Sequence, residues 1–249
     1  MIDVKKLLFA FVFLNIASFS FGADAIIGQV GNAQKSFDQT DYAKAIDIYE
    51  SLIKVDKIND PDIYYNLSNS YFRNSDIGRA VLNIERAWRL KPRDADINYN
   101  RQFLFNWVGR SGQLQPKDVF FVSWFSLNEL TVFASVLIIL LLISLTAFIV
   151  NFKQKKAIFK KSNIILAILV VLSVGLTVYK FIIFNQNNAV LVAPASLKQN
   201  PFDETEIASL ADGRILHLFF SRDGYAYVEI LQERQKLKGW VLAASVEKI

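Results

Sequence analysis

The sequence predicts a multidomain membrane protein: an all-α repeat array, two transmembrane helices and a small all-β barrel, in that order. Three observations predict it. Apolar residues recur at helical spacing from residue 26 to about 110, two stretches of bilayer length follow, and the apolar period drops to two near the C-terminus. The chain has 249 residues, 53% of them hydrophobic, with no Cys, one His and a net charge of +5. Without Cys there is no disulfide, thiol nucleophile or Cys-ligated zinc, and a lone His217 excludes any site built on two imidazoles.

The charge is unevenly placed. Residues 24–129 carry 13 Lys/Arg against 14 Asp/Glu, and residues 185–249 carry 7 against 8. The excess comes from the leader, from Lys180 and from five Lys within residues 151–163. Both candidate folded domains are therefore nearly neutral, whereas a nucleic-acid binder needs a basic face on a folded domain. No nucleic-acid partner is expected.

Residues 1–25 read as a signal peptide. Lys5 and Lys6 precede the apolar run Leu7 to Ile16, and small residues then offer cleavage after Gly22 or Ala25. An uncleaved anchor is the alternative, and either sends the following residues across the membrane. A juxtamembrane linker, 111–129, holds Phe120, Phe121, Trp124 and Phe125, which suit an interfacial aromatic belt.

Residues 130–150 contain no charge and form the first expected transmembrane helix; at 1.5 Å per residue they reach roughly 31 Å, the thickness of a bilayer core. Residues 164–184 form the second, with Lys180 one turn from its end, where the ammonium is expected to snorkel to the headgroups. Between them lies a basic loop, 151–163, with Lys153, Lys155, Lys156, Lys160 and Lys161. Such a loop is expected in the cytoplasm, with contact to anionic lipid open to it, so both large segments face the other side. The expected location is a bacterial inner membrane, crossed twice, with both terminal domains in the periplasm.

Within residues 26–110 the helical stripes are Val30, Ala33 and Phe37; Tyr42, Ala45, Ile46, Tyr49, Leu52 and Ile53; Ile63, Tyr64, Leu67, Ser68 and Tyr71; and Ala80, Val81, Ile84, Ala87 and Leu90. Thr40-Asp41, Asp60-Pro61 and Ser75 mark helix starts, and Pro92 marks a stop. Asp41-Tyr42-x-x-Ala45-Ile46 returns as Asp76-Ile77-x-x-Ala80-Val81, one repeat later. Tyr64, Leu67, Ser68, Tyr71, Ala80, Ile84, Ala87 and Pro92 fill the tetratricopeptide signature, small residues standing where helices cross closely. The prediction is an all-α tetratricopeptide superhelix of two repeats, with a capping helix from Asp94 to Val108 built on Ile97, Leu104 and Val108. First helices line the groove of such a stack. Tyr65, Asn66, Asn69 and Arg73 then either hold a peptide or are solvated helix residues.

Residues 188–249 alternate with period two: Ala226, Val228 and Ile230 against Tyr225, Tyr227 and Glu229. Asp212-Gly213 and Asp223-Gly224 supply turns. Five short strands are expected in a small all-β SH3-like barrel, opening at Ala189–Val192 and closing on Gly239-Trp240-Val241 and Val246…Ile249. Trp240 is expected to plug the barrel core, ligand binding being the alternative, and His217 to be structural. No phosphate-cradling glycine loop, nucleophile elbow or zinc-protease motif is present in the sequence, and the carboxylate pairs Asp60/Asp62 and Asp94/Asp96 sit at helix starts, where the helix dipole favours them. No enzyme activity, cofactor or metal site is expected.

The order of leader, tetratricopeptide pair, membrane hairpin and SH3-like domain resembles the BatE family of the Bat aerotolerance operon. The block from Tyr64 to Arg73 and from Arg79 to Asp94 carries the likeness, with Ser68 at a usual Gly and Ile84 at a usual aromatic. The resemblance implies a non-enzymatic envelope scaffold acting beside von Willebrand A-domain membrane proteins and a MoxR-type ATPase. A cell-wall sensor that binds peptidoglycan or peptide through the SH3-like domain is the second expectation.

Overall fold

The structure, a computed structural model, describes residues 26–109, 124–150, 157–184, 188–202, 205–232 and 235–249. The expected signal peptide, Phe120, Phe121 and the start of the basic loop lie outside them. Helix α1 spans residues 26–38, and α2 (Tyr42–Lys54), α3 (Pro61–Arg73), α4 (Ile77–Leu90) and α5 (Ala95–Trp107) complete the helical array.

The turns α1–α2 and α3–α4 have the same hydrogen bonds, one repeat apart. Thr40 and Ser75 both take positive φ, 62° and 64°. The Asp that follows each donates its N–H back to Ser36 or Tyr71, both at 2.9 Å. Its carboxylate then caps the next helix, Asp41 accepting from the Lys44 N–H and Asp76 from the Arg79 N–H. Asp76, not Ser75, is thus the cap of α4; Ser75 is the left-handed residue that lets the chain reverse. Asp60 and Asp94 cap α3 and α5, with Pro61 in the first turn of α3.

The apolar stripes meet in one layer. Tyr49, Leu52, Ala80, Ile84 and Ala87 are fully buried, and Ser68, also fully buried, donates its hydroxyl to the Ala80 carbonyl at 2.7 Å. A larger side chain at Ser68 would push α3 away from α4. Between α4 and α5 the half-exposed surface closes over an ion pair: Arg101 donates to Glu85 through Nε at 2.5 Å and through a second nitrogen at 3.2 Å. The Arg101 guanidinium also lies 4.0 Å from the Trp88 ring centroid.

Tyr71 links α3 to α2, its hydroxyl donating to Glu50 at 2.6 Å. Burial pushes the Glu50 carboxyl up, but the hydrogen bonds from Lys54 and Tyr71 outweigh it and hold its pKa below the ordinary value. A carboxyl depressed in the folded state stabilises above its unfolded pKa and loses that contribution as pH falls through the folded one. Thermal melts should therefore weaken on acidification through the carboxylate range, and Tyr71→Phe should make that decline shallower. Identical acid profiles for the two proteins would contradict this.

Two long helices follow, α6 (Leu127–Val150) and α7 (Ala157–Phe184). Each is long and apolar enough to cross a membrane, over Leu127–Ile149 and Lys161–Ile183, which fits a two-pass membrane protein. Helix α6 starts three residues before the expected span because Ser126 and Glu129 cap it reciprocally: the Ser126 N–H donates to Glu129 at 2.8 Å and the Glu129 N–H to the Ser126 hydroxyl at 3.1 Å. The helices pack on one another, Leu130, Ala134 and Leu137 are buried, and Ser144 meets Asn163 at 2.5 Å. Two expectations are corrected. Residues 157–163, read as loop, form the first two turns of α7. Lys180 does not snorkel outward; its side chain is fully buried and engaged inside the protein.

The C-terminal segment forms a seven-stranded antiparallel sheet: β1 (Asn188–Leu191), β2 (Ala195–Lys198), β3 (Glu206–Leu210), β4 (Ile215–Arg222), β5 (Tyr225–Gln232), β6 (Gln235–Leu242) and β7 (Val246–Lys248). The order across it is β3-β2-β6-β5-β4-β1-β7. There are seven strands rather than five because β2 and β3 each bury one large side chain, Leu197 and Leu210, too little to show as alternation. The Asp223-Gly224 turn joins β4 to β5 with both residues at positive φ, 51° and 80°.

Array and sheet share a core. In β1, Ala189 and Leu191 face the sheet interior while Val190, and Val192 just past the strand, enter the helical core, as strand alternation requires. Gly78 in α4 lies so close to β1 that a Cβ there would sit 2.6 Å from the Val192 Cα and 2.8 Å from the Leu191 carbonyl. Its N–H donates to Asp212 at 3.1 Å. Further along α4, Arg86 and Arg89 donate to the carbonyls of Lys248 and Ile249 at 2.8 and 2.9 Å. Helix α4 thereby covers the short edge strand β7.

Candidate functional site

An open groove of about 430 Å³ lies across α1, α3 and α5. Phe37 forms one end. Asn69, Phe72 and Arg73 come from α3, and Tyr99, Asn100, Phe103 and Leu104 from α5. The arrangement follows from helical spacing. In α3, Leu67 and Tyr71 turn inward, which leaves Asn69 and Arg73 on the opposite side. In α5, Ile97 and Leu104 anchor the helix, and Tyr99 and Phe103 project outward.

The groove has a polar strip and an aromatic wall. The Asn100 amide donates to the Asn69 carbonyl oxygen at 2.9 Å, which fixes both side chains and leaves the remaining amide edges toward the groove. Phe72 packs edge-on against Phe103 and Trp107, with centroids 5.3 and 5.4 Å apart. Trp107 and Tyr99 are 62% and 71% exposed, high values for rings of their size. Arg73 is exposed and has no hydrogen bond or ion pair among the described residues. A cation free of partners among the described residues, two fixed amides and open aromatic faces suit an extended peptide with a carboxylate.

Of the residues read from the sequence, Asn69 and Arg73 line this groove. Tyr65 is half-buried against the helical core, and Asn66 lies beside the buried Tyr49 hydroxyl, so neither lines it. The helical stripe of Ile97, Leu104 and Val108 predicts only a cap and does not single out Tyr99, Asn100, Phe103 or Trp107. Their signal was present: α5 carries large rings on the face opposite Ile97 and Leu104, which a plain cap does not need. The signature positions Tyr64, Leu67, Ser68, Tyr71, Ala80, Ile84, Ala87 and Pro92 are all buried.

Trp240 requires correction. It is not in the sheet core, which consists of Ala189, Leu191, Leu197, Leu210, Leu216, Leu218, Ala226, Val228, Ile230 and Val241. Gly239 faces that core, its position leaving only 2.5 Å between a Cβ and the Lys198 carbonyl. Val241 faces it too, so the residue between them must face out. Trp240 is half-buried on the outer face, 5.2 Å from Tyr227 and 5.5 Å from Phe220 between ring centroids. His217 packs edge-on against Phe219 at 4.8 Å.

No protein-family model matches the chain, and no curated protein matches it in sequence.

Proposed function

We propose that the chain is a non-enzymatic scaffold anchored in a bacterial inner membrane, which holds a peptide segment of a partner protein in the α1–α3–α5 groove. The observation that carries this reading is the exposed Arg73, free of described partners, beside the fixed Asn69–Asn100 pair and the Tyr99, Phe103 and Trp107 rings. The turn hydrogen bonds, which recur one repeat apart, support reading the array as a tetratricopeptide stack with α5 as its capping helix. The sheet is read as an SH3-like domain. A periplasmic setting for both domains is supported by their shared core, since two segments that pack on one another lie on one side of the bilayer, and by the basic residues between the spans.

The resemblance to the BatE family supplies the expected partners, von Willebrand A-domain membrane proteins working with a MoxR-type ATPase. Extraction of the full chain in mild detergent should co-purify such a partner. Arg73→Glu should lower its recovery by about tenfold or more, the scale of one hot-spot contact, without changing the melting temperature. Undiminished recovery with Arg73→Glu would remove the groove from the reading. A folded bait that brings down no A-domain protein would remove the partner.

A further inference from the structure

We propose that the β4–β5 hairpin tip docks into the interface of the same bilayer that α6 and α7 cross, a reading that rests on those helices being membrane spans. The direction of β1 sets the geometry. Arg93, just past α4, is paired with Glu129 and lies 5.1 Å from the Phe125 ring, so the C-terminal end of α4 is the end near the membrane. Arg89 holds Ile249, whose N–H donates to the Asn188 carbonyl at 3.1 Å, while Gly78 at the far end of α4 touches Val192. Strand β1 therefore runs along α4 away from the bilayer, starting near it.

Strand β4 is antiparallel to β1 and returns toward the bilayer. Asn188 is level with His217, and β4 continues to Arg222. The register shift between Leu218 and Phe220 uses up one residue, so this stretch advances four strand positions, about 13 Å. The five residues from Ile183 to Asn188 reach at most about 18 Å when extended. The tip at Arg222-Asp223 thus returns to within about 5 Å of the height at which the apolar part of α7 ends, or below it.

What the tip presents matches that height. The register aligns Phe220 with Tyr227 and Trp240, and Arg222 with Tyr225 and Leu242, on one outer face. Phe220 and Leu242 are 50% and 57% exposed. Phe202 packs edge-on against Tyr225 and is the most exposed large apolar side chain described. Rings with polar tips, bare apolar side chains and an Arg concentrate where one end of a surface is in headgroups and the other in acyl chains. The register shift between Leu218 and Phe220 turns the end of β4 and re-aims these rings relative to the sheet core. Trp124 and Phe125 stand at the corresponding end of α6.

Because the chain has no Cys, single nitroxide labels test this in the full-length protein. Ser221→Cys and Leu242→Cys report on the tip, Leu172→Cys on the second span and Asp47→Cys on solvent. In nanodiscs of phosphatidylethanolamine and phosphatidylglycerol, both tip labels should favour collision with oxygen over a water-soluble nickel complex, at values between those of Leu172 and Asp47. Tip labels as nickel-accessible as Asp47, with Leu172 in lipid, would overturn the proposal. So would protection of the tip labels by isolated sacculi in place of lipid. A Leu172 label outside lipid would instead overturn the membrane reading beneath it.

Discussion

Gly78→Ala should destabilise the protein by about 1–3 kcal/mol, the usual cost of forcing a carbon into a packed interface. The new Cβ meets the Val192 Cα, the Val192 carbonyl and the Leu191 carbonyl at 2.6–2.8 Å. All three are backbone, so no side chain can swing away. Either α4 or β1 must shift, and the Gly78 hydrogen bond to Asp212 goes with it. Gly31→Ala in α1 is the internal control: nothing lies within 4 Å of its Cβ. There the same substitution should stabilise by about 0.5–1 kcal/mol through helix propensity. Urea melts of the two variants in detergent should move in opposite directions. Parallel shifts would mean that array and sheet are not docked at Gly78. Proteolysis of Gly78→Ala should also open cleavage between the two parts.

Arg101→Ala should cost about 3–5 kcal/mol, the penalty for leaving a buried charge without its partner. Glu85 retains only 6% of its side-chain exposure and Arg101 11%, so solvent cannot take over. The substitution also removes the guanidinium from the faces of Trp88 and Phe105. By contrast, Lys54→Ala breaks the Lys54–Glu50 pair, whose lysine is 67% exposed, and should change stability by less than about 1 kcal/mol. A double substitution, Glu85→Gln with Arg101→Met, should recover part of the loss, because the buried Glu85 carboxylate is then no longer left without Arg101. A cost for Arg101→Ala as small as that for Lys54→Ala would show that the α4–α5 contact is not held this way. Since α5 supplies Tyr99, Asn100 and Phe103 to the groove, the same variant should weaken partner recovery.

The helices were legible because each buries one stripe, and a stripe repeats every three to four residues whatever its partner. Tyr49 and Leu52, or Leu67 and Tyr71, announce an inward face without saying what lies opposite. The two long apolar helices were legible from length and composition, the properties a bilayer would dictate. Residues that answer to two neighbours were harder to read. Gly78 looks like a weak helix position until β1 is placed against it. Val190 and Val192 look like one face of a strand, yet they complete the helical core. Trp240 failed for a related reason: size suggested a core plug, while its neighbours Gly239 and Val241 already occupied the inner face. Only the Asn69–Arg73 half of the groove was visible, because the other half stands on α5, whose aromatic face gains meaning beside Phe72.

The most direct measurement is labelling of single cysteines with a membrane-impermeant maleimide on intact spheroplasts, in three full-length proteins: Asp47→Cys in the helical array, Lys236→Cys in the sheet and Lys155→Cys between the spans. Array and sheet packed as one body on the outer side predict that the first two react at once and the third reacts only after the membrane is opened. Reaction of Asp47→Cys and Lys236→Cys from opposite sides would contradict it.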